Sequence, residues 1–212
     1  MTRPVLAPVL LIASILAGLT YPLLWNAAMP AAALIAAKGA GVGLLALHAA
    51  VRAQTRDGWL LAAIMALGAV GDVLLDIRFE AGAAAFAVGH AVAIWLYLRN
   101  RRAVITRSQR ALAVLLPLFG MTMPTLLLGR FDPGLTVYAV LLTAMAATAW
   151  TSRFPRYRTG IGALMFVVSD ALIVGRMGPL ADMAGISLAI WLLYYLGQLL
   201  IALGVTRTLA RQ

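Results

Sequence analysis

AIMALGAVGDVLL, residues 63–75, has the composition of a membrane-spanning helix, yet it contains one carboxylate, Asp72. GALMFVVSDALIV, residues 162–174, carries Asp170 in the same kind of setting. A charge near the centre of a membrane helix costs roughly 2.5–3.5 kcal/mol of insertion free energy. Such a residue is seldom retained for packing alone, so we interpret both aspartates as candidate site residues.

The rest of the chain is equally apolar. Its 212 residues are 63% hydrophobic and 11% charged, whereas soluble domains carry about 25% charged residues. Apolar runs of about 20 residues, enough to cross a bilayer as a helix, recur at 4–25, 30–51, 58–76, 80–98, 111–128, 134–152, 160–176 and 186–206. We therefore predict an all-α, polytopic membrane protein, with eight transmembrane helices in a single domain over residues 1–212.

Positive charge is distributed unevenly among the predicted loops. With eight spans, the two termini and the second, fourth and sixth loops share one side. Thirteen of the 17 basic residues fall there: Arg3, Arg52, Arg56, Arg99, Arg101, Arg102, Arg107, Arg110, Arg153, Arg156, Arg158, Arg207 and Arg211. The positive-inside rule places this side, and both termini, in the cytoplasm, and we expect a bacterial inner membrane. The charge favours anionic lipid headgroups, so no nucleic-acid partner is expected.

This orientation converts sequence position into depth. At a helical rise of 1.5 Å per residue, one layer in the non-cytoplasmic half collects polar residues from several spans: Lys38, Asp72, His90, Tyr138, Asp170, Tyr194, Tyr195 and Gln198. Asp76 follows Asp72 by four residues and therefore lies on the same helix face, at the outer rim. In lipid, such groups should pair with one another or face a wet cavity.

Several of these residues also have a purely structural explanation. Lys38 could neutralise an aspartate or extend to the membrane surface. His90 could donate a hydrogen bond between helices. Tyr194 and Tyr195 could belong to the aromatic belt at the membrane interface, and because they are adjacent, at most one should face a common cavity.

Two further features of the second span are interpreted as structural. His48 lies near its inner end, away from the polar layer. The stretch Gly39-Ala-Gly-Val-Gly43 contains a GxxxG pattern, which is typical of close packing between membrane helices.

Asp72 and Asp170 could be related by duplication. When GDVLLDIRF is aligned with SDALIVGRM, Asp72 matches Asp170 and Arg78 matches Arg176, and both following spans contain Ala-Ile-Trp-Leu. We hypothesise two four-helix halves in parallel orientation, with the third and seventh spans facing each other.

The sequence lacks several common catalytic patterns. It has no Ser-His-Asp spacing, no glycine-rich phosphate loop, no HExxH motif and no cysteine. With two histidines, a three-histidine zinc site is excluded, and we expect neither a metal nor a cofactor. Two carboxylates remain at the depth of lipid headgroups, where burial can tune them as general acid and general base.

Four motifs in this order resemble the YhhN family of integral membrane lysoplasmalogenases: GDVLLDIRF, AFAVGHAVAIWLY, GALMFVVSDALI and WLLYYLGQLLIALG. Lys38, Tyr138 and Met145 fit the same pattern, and the resemblance runs from about residue 34 to residue 205. One departure is Ala93, where the family often has a tyrosine, although Tyr97 lies one turn further along.

The resemblance implies an eight-span helical bundle that hydrolyses the vinyl ether bond of lysoplasmalogens to a fatty aldehyde and a glycerophospho-alcohol. For this reaction we interpret Asp72 and Asp170 as the catalytic pair, because two carboxyl groups can supply the general acid and the general base. The residues expected to bind substrate or support the site are Lys38, Asp76, His90, Tyr138, Ser169, Tyr194, Tyr195 and Gln198. The partners expected are a lysophospholipid substrate and membrane lipid, and the sequence does not give the oligomeric state.

Two other functions remain open at the sequence level. Intramembrane carboxylates and repeats also occur in small proton-coupled transporters. A hydrolase of the same fold could act on another lysolipid. A purely structural membrane protein would leave the layer of polar residues unexplained.

Overall fold

In the computed structural model, which describes residues 3–211, the chain is a succession of helices. Helices α1 to α8 span Arg3–Thr20, Ala31–Arg52, Arg56–Ile77, Phe79–Arg99, Arg107–Leu128, Pro133–Thr151, Ile161–Arg176 and Ile186–Leu209. The eight spans are long and apolar enough to cross a membrane, and residues 3–211 contain no strand. The predicted fold class is confirmed, and the protein is a multi-pass membrane protein.

The first span differs in detail from the prediction. An unbroken helix was expected over 4–25, but α1 ends at Thr20 and a short 3₁₀ helix follows over Tyr21–Leu24. Pro22 is the physical reason, because it has no backbone N–H to donate to the preceding turn. The side chain of Arg3, one of the orientation residues, lies outside the described part of the chain.

The described residues form two compact units. The first contains residues 3–93 and 205–211, and the second contains residues 94–204. Asp72 belongs to the first unit and Asp170 to the second. Whether the units arose by duplication, and whether the chain is one domain, remain predictions.

In the first unit, α1 and α3 pack against α2. Ser14 on α1 donates a hydrogen bond of 2.7 Å to the Gly41 carbonyl oxygen. The His48 ring nitrogen Nδ1 lies 2.7 Å from the Ala7 carbonyl oxygen, so His48 has the structural role predicted for it. A Cβ atom at Gly39 would lie 3.2 Å from the Ala69 carbonyl oxygen, so the glycine stretch permits the close packing expected of it.

One face of α1 is exposed in the described part of the chain. Its exposed side chains recur at helical spacing: Val5, Val9, Ile12, Leu16 and Leu19. Such a stripe would be unstable in water, but in a bilayer it lies against lipid chains. α1 therefore forms part of the lipid-facing surface of the first unit.

In the second unit, α5 packs along α6, and α7 lies against both. α5 contains Pro117 and Pro124 within its length and ends at Gly129, whose φ of 67° is in the left-handed region. That conformation is readily available only to glycine. α6 begins immediately afterwards, with Asp132 capping the Leu135 backbone N–H at 3.0 Å.

Candidate active site

Asp170, the carboxylate of the second unit, has a defined partner. The Tyr138 hydroxyl on α6 donates a hydrogen bond of 2.6 Å to its Oδ2 atom on α7. The Asp170 residue is 8% exposed. This contact joins two residues predicted separately from the sequence, and it fixes the orientation of the carboxylate.

The two α8 tyrosines are both buried, as parts of one aromatic cluster. Tyr194 lies edge-on to Phe166 of α7, with ring centroids 5.1 Å apart. Tyr195 is stacked on Trp191 with an interplanar angle of 10°. Neither ring has the exposure expected of an interface belt, so that alternative is not supported.

Ser169 and Gln198 are also buried in the second unit. The Ser169 hydroxyl donates a 2.9 Å hydrogen bond to the Ile190 carbonyl oxygen on α8. This contact connects α7 to α8 one residue before Asp170. The contact of Ser169 therefore positions α7 against α8. From the sequence, Ser169 was expected only to bind substrate or support the site.

In the first unit, Lys38 forms an ion pair with Asp76. The Lys38 Nζ atom lies 2.5 Å from Asp76 Oδ1, and the two side chains are 17% and 37% exposed. Neutralising an aspartate was one of the roles that the sequence left open for Lys38, and the structure pairs it with Asp76. Both side chains are partly exposed at the surface of the described residues.

Asp72 and His90 are both buried in the first unit, at 2% and 3% exposure. The His90 ring is stacked on Phe86, one turn earlier on α4. Phe86 packs against the backbone of Gly71, where an added Cβ would lie 2.6 Å from the ring. Gly71 thus lets α4 approach α3 directly beside Asp72.

Tyr21 is a buried polar residue that the sequence reasoning did not select. It lies in the 3₁₀ helix that follows α1, and its ring meets that of Trp25 edge-on, with centroids 6.0 Å apart. The helix break at Pro22 places it there. The Tyr21-Pro22 pair in the sequence could have indicated a helix end, but it does not show that the tyrosine is buried.

The structure thus describes two polar clusters, one in each unit. The first has the buried Asp72 and the partly exposed Lys38–Asp76 pair, and the second has Asp170 held by Tyr138. Each cluster contains one buried carboxylate, the type of group used for proton transfer. That Asp72 and Asp170 serve one substrate remains a prediction from the sequence.

A sequence model of the YhhN family matches residues 33–205, most of the chain. The chain belongs to the YhhN family. The resemblance carried by the four motifs is therefore confirmed. The matched region includes every candidate site residue from Lys38 to Gln198, whereas Tyr21 lies before it.

Two relatives of this YhhN protein are known by the name lysoplasmalogenase, one from Mycobacterium bovis and one from Mycobacterium tuberculosis. Each is 33% identical to it over an alignment of 161 residues, and the match covers 69% of this chain. The match spans 59% of the length of each relative. No solved structure matches this YhhN chain.

Proposed function

We propose that this protein hydrolyses the vinyl ether bond of lysoplasmalogens, giving a fatty aldehyde and a glycerophospho-alcohol. Membership of the YhhN family supports this function, as do the two relatives named lysoplasmalogenase. The substrate is an amphiphile with one alkenyl chain, which suits an enzyme built almost entirely of apolar helices.

The main structural support for acid–base catalysis is Asp170, which is buried and hydrogen-bonded. A carboxylate inside a membrane helix costs insertion free energy, and a tyrosine positioned 2.6 Å from it indicates that its orientation matters. Asp72 is a second intramembrane carboxylate with even less exposure. Two carboxyl groups supply one proton donor and one proton acceptor, which hydrolysis of a vinyl ether requires.

In the proposed reaction, one carboxyl group, in its protonated form, donates its proton to the alkene carbon remote from the ether oxygen. The alkene π electrons form the new C–H bond, and an oxygen lone pair stabilises the resulting oxocarbenium ion. The other carboxylate removes a proton from water as the water oxygen adds to the cationic carbon. The product of this step is a hemiacetal, by the same two-carboxylate logic as glycoside hydrolysis.

Collapse of the hemiacetal restores both carboxyl groups. The first takes the proton of the new hydroxyl, and the second protonates the glycerol oxygen as its C–O bond breaks. One water is consumed, and the aldehyde and the glycerophospho-alcohol leave. Neither Asp72 nor Asp170 is assigned as the acid.

The remaining polar residues are proposed to bind the substrate and to orient the reacting groups. Tyr138 fixes the carboxyl group of Asp170. Lys38 provides positive charge for the lipid phosphate, since its side chain is partly exposed beside Asp76. The further residues proposed to orient substrate or water are His90, Tyr194, Tyr195 and Gln198, all buried within their units.

We place the protein in a bacterial inner membrane with both termini in the cytoplasm. Thirteen basic residues on one predicted side support this orientation. The glycerophosphate end of the substrate then lies toward the outer leaflet, and its alkenyl chain lies along apolar helix faces.

Comparing hydrolysis with transport tests the proposal. Purified protein in detergent should release aldehyde from alkenyl lysophospholipid and not from the acyl analogue. In D₂O the aldehyde, trapped as it forms, should carry one deuterium beside its carbonyl carbon, because protonation occurs there. α3 and α7 run unbroken past Asp72 and Asp170, which does not favour the broken helices typical of transporters.

The same protein, reconstituted in proteoliposomes, tests the transporter alternative. Proton-coupled flux of a solute without aldehyde release would overturn the hydrolase assignment in favour of a transporter. Release of fatty acid from the acyl analogue alone would replace the proposed substrate with another lysolipid.

A further inference from the structure

Two loops of the second unit, the one after α4 and the one after α6, are joined by backbone hydrogen bonds. The Arg102 N–H donates to the Thr151 carbonyl oxygen at 3.2 Å, and the Arg153 N–H donates to the Asn100 carbonyl oxygen at 2.7 Å. The two loops therefore form one continuous surface at this end of the unit.

Side chains fix this surface further. Arg102 Nε donates to the Ser152 carbonyl oxygen at 2.7 Å, and Arg153 Nε donates to Asn100 Oδ1 at 2.6 Å. Gln109 on α5 donates to the Trp150 carbonyl oxygen at 3.0 Å, which brings the start of α5 to the same place. Arg102 and Arg153 thus hold the two loops together through hydrogen bonds within the protein itself.

The surface has a high density of positive charge with no acidic residue in its segments. Residues 99–110 and 151–160 contain eight arginines and no aspartate or glutamate. Apart from the two that hold the loops, the exposed ones include Arg101, Arg107, Arg110 and Arg158. We call the two segments together the arginine surface.

Two arginines outside this surface have acidic neighbours in the described part of the chain. Arg130 lies 3.6 Å from Asp132, and Arg78 lies 4.0 Å from Glu80. Arg101, Arg107 and Arg158 form no salt bridge among the described residues, so their charge is available to an anionic ligand.

Exposed apolar side chains accompany this charge. The Arg156 guanidinium lies over the Tyr157 ring at 4.8 Å, and the Arg99 guanidinium lies over the Trp95 ring at 5.9 Å. Tyr157 is 67% exposed, Trp95 44% and Val104 83%. A free phosphate ion would use only the charge, whereas an amphiphile uses both.

We propose that the arginine surface binds the phosphate groups of anionic membrane phospholipids, with the acyl chains against Tyr157, Trp95 and Val104. Its position at the ends of membrane-spanning helices is the depth of lipid headgroups. Planar guanidinium groups bind phosphate through two parallel hydrogen bonds. This site is separate from the proposed hydrolysis and does not depend on it.

The test measures lipid binding to the purified full chain by native mass spectrometry and by thermal stabilisation in detergent. Phosphatidylglycerol is the probe, with phosphatidylcholine and inorganic phosphate as comparison ligands. Phosphatidylglycerol should bind and raise the melting temperature, and the comparison ligands should not. Equal effects of inorganic phosphate or of phosphatidylcholine would overturn the proposal.

Variants locate the site. The triple variant Arg101→Gln, Arg107→Gln, Arg158→Gln should weaken phosphatidylglycerol binding at least about tenfold, because each basic residue near an anionic surface contributes about 1 kcal/mol. The matched control is Arg78→Gln, Arg130→Gln, Arg176→Gln, which should bind as wild type does. Equal loss in both triples would overturn the proposal.

A charge-preserving variant covers the case in which the glutamine triple does not fold. Arg101→Lys, Arg107→Lys, Arg158→Lys keeps the positive charge but loses the paired hydrogen bonds, so its binding should lie between wild type and the glutamine triple. The single variant Arg107→Glu should reduce binding. Unchanged binding in Arg107→Glu at low salt would contradict an electrostatic lipid site here.

Discussion

At the residue scale, a carboxylate inside a membrane helix needs a partner, and Asp170 has one in the Tyr138 hydroxyl. The sequence suggested both residues but not the bond between them, because they are 32 positions apart and lie on different helices. Depth in the bilayer can be estimated from sequence, whereas the direction in which a side chain points around its helix depends on tertiary packing.

Tyr138→Phe tests the contact. The variant removes only the hydroxyl, and a hydrogen bond to a charged group is worth about 1.5–3 kcal/mol. We expect kcat for aldehyde release to fall by about tenfold to a hundredfold, with little change in KM. Initial rates over a range of substrate concentrations measure both.

Tyr97→Phe is the matched control. Tyr97 is also buried, but its hydroxyl has no hydrogen-bond partner among the described residues. The control should keep the wild-type rate and folding. If Tyr138→Phe also kept the wild-type rate, the hydroxyl would have no positioning role.

Other residues show where sequence reasoning succeeds and where it stops. His48 was predicted to be structural, and it contacts the Ala7 carbonyl oxygen. Ser169 was grouped with the site because it precedes Asp170, but its hydroxyl bonds to the α8 backbone. Tyr21 was not selected, because nothing in the sequence indicates that the 3₁₀ turn after α1 buries its ring.

At the element scale, the approach of α7 to α8 positions Asp170 and the α8 tyrosines within the second unit. Gly162 on α7 faces Gly197 on α8, and a Cβ at Gly162 would lie 2.5 Å from the Gly197 carbonyl oxygen. The clash would be with backbone, which has no rotamer to change. The two helices would have to separate.

Gly162→Ala should therefore destabilise the protein. Overpacking costs about 1–3 kcal/mol, against a gain of up to about 1 kcal/mol from helix propensity. The apparent melting temperature in detergent should fall. Gly43→Ala is the control, because its Cβ would lie 3.7 Å from Ala69 Cβ, an ordinary contact, and it should be neutral or stabilising. A Gly162→Ala variant as stable as this control would contradict the packing described.

The bounds of the elements were largely predictable, since apolar length determines a membrane helix. The differences occur where local chemistry interrupts the apolar pattern. Pro22 ends α1 early. Before α7, the polar stretch Arg156–Gly160 forms a π-helical turn, although the span was predicted to begin at 160. The arginines and the tyrosine of this stretch look like a loop in the sequence, yet their backbone is helical.

At the scale of the whole molecule, charge asymmetry predicts orientation. The chain has no cysteine, so single-cysteine variants report the side of the membrane without background. In intact cells, Asp182→Cys should react with a membrane-impermeant maleimide, and Ser108→Cys should react only after permeabilisation, because its loop carries the basic residues. The reverse labelling pattern would invert the proposed topology.

The proposed catalytic roles of Asp72 and Asp170 are tested by the rate of aldehyde release from an alkenyl lysophospholipid. The comparison is between wild type, Asp72→Asn, Asp170→Asn and the exposed loop variant Asp182→Asn, each verified as folded. General acid or base catalysis contributes about 10²–10⁴-fold. We expect Asp72→Asn and Asp170→Asn each to lose at least about a hundredfold in rate, while Asp182→Asn retains the wild-type rate. Near-normal turnover in either Asp72→Asn or Asp170→Asn would contradict the account.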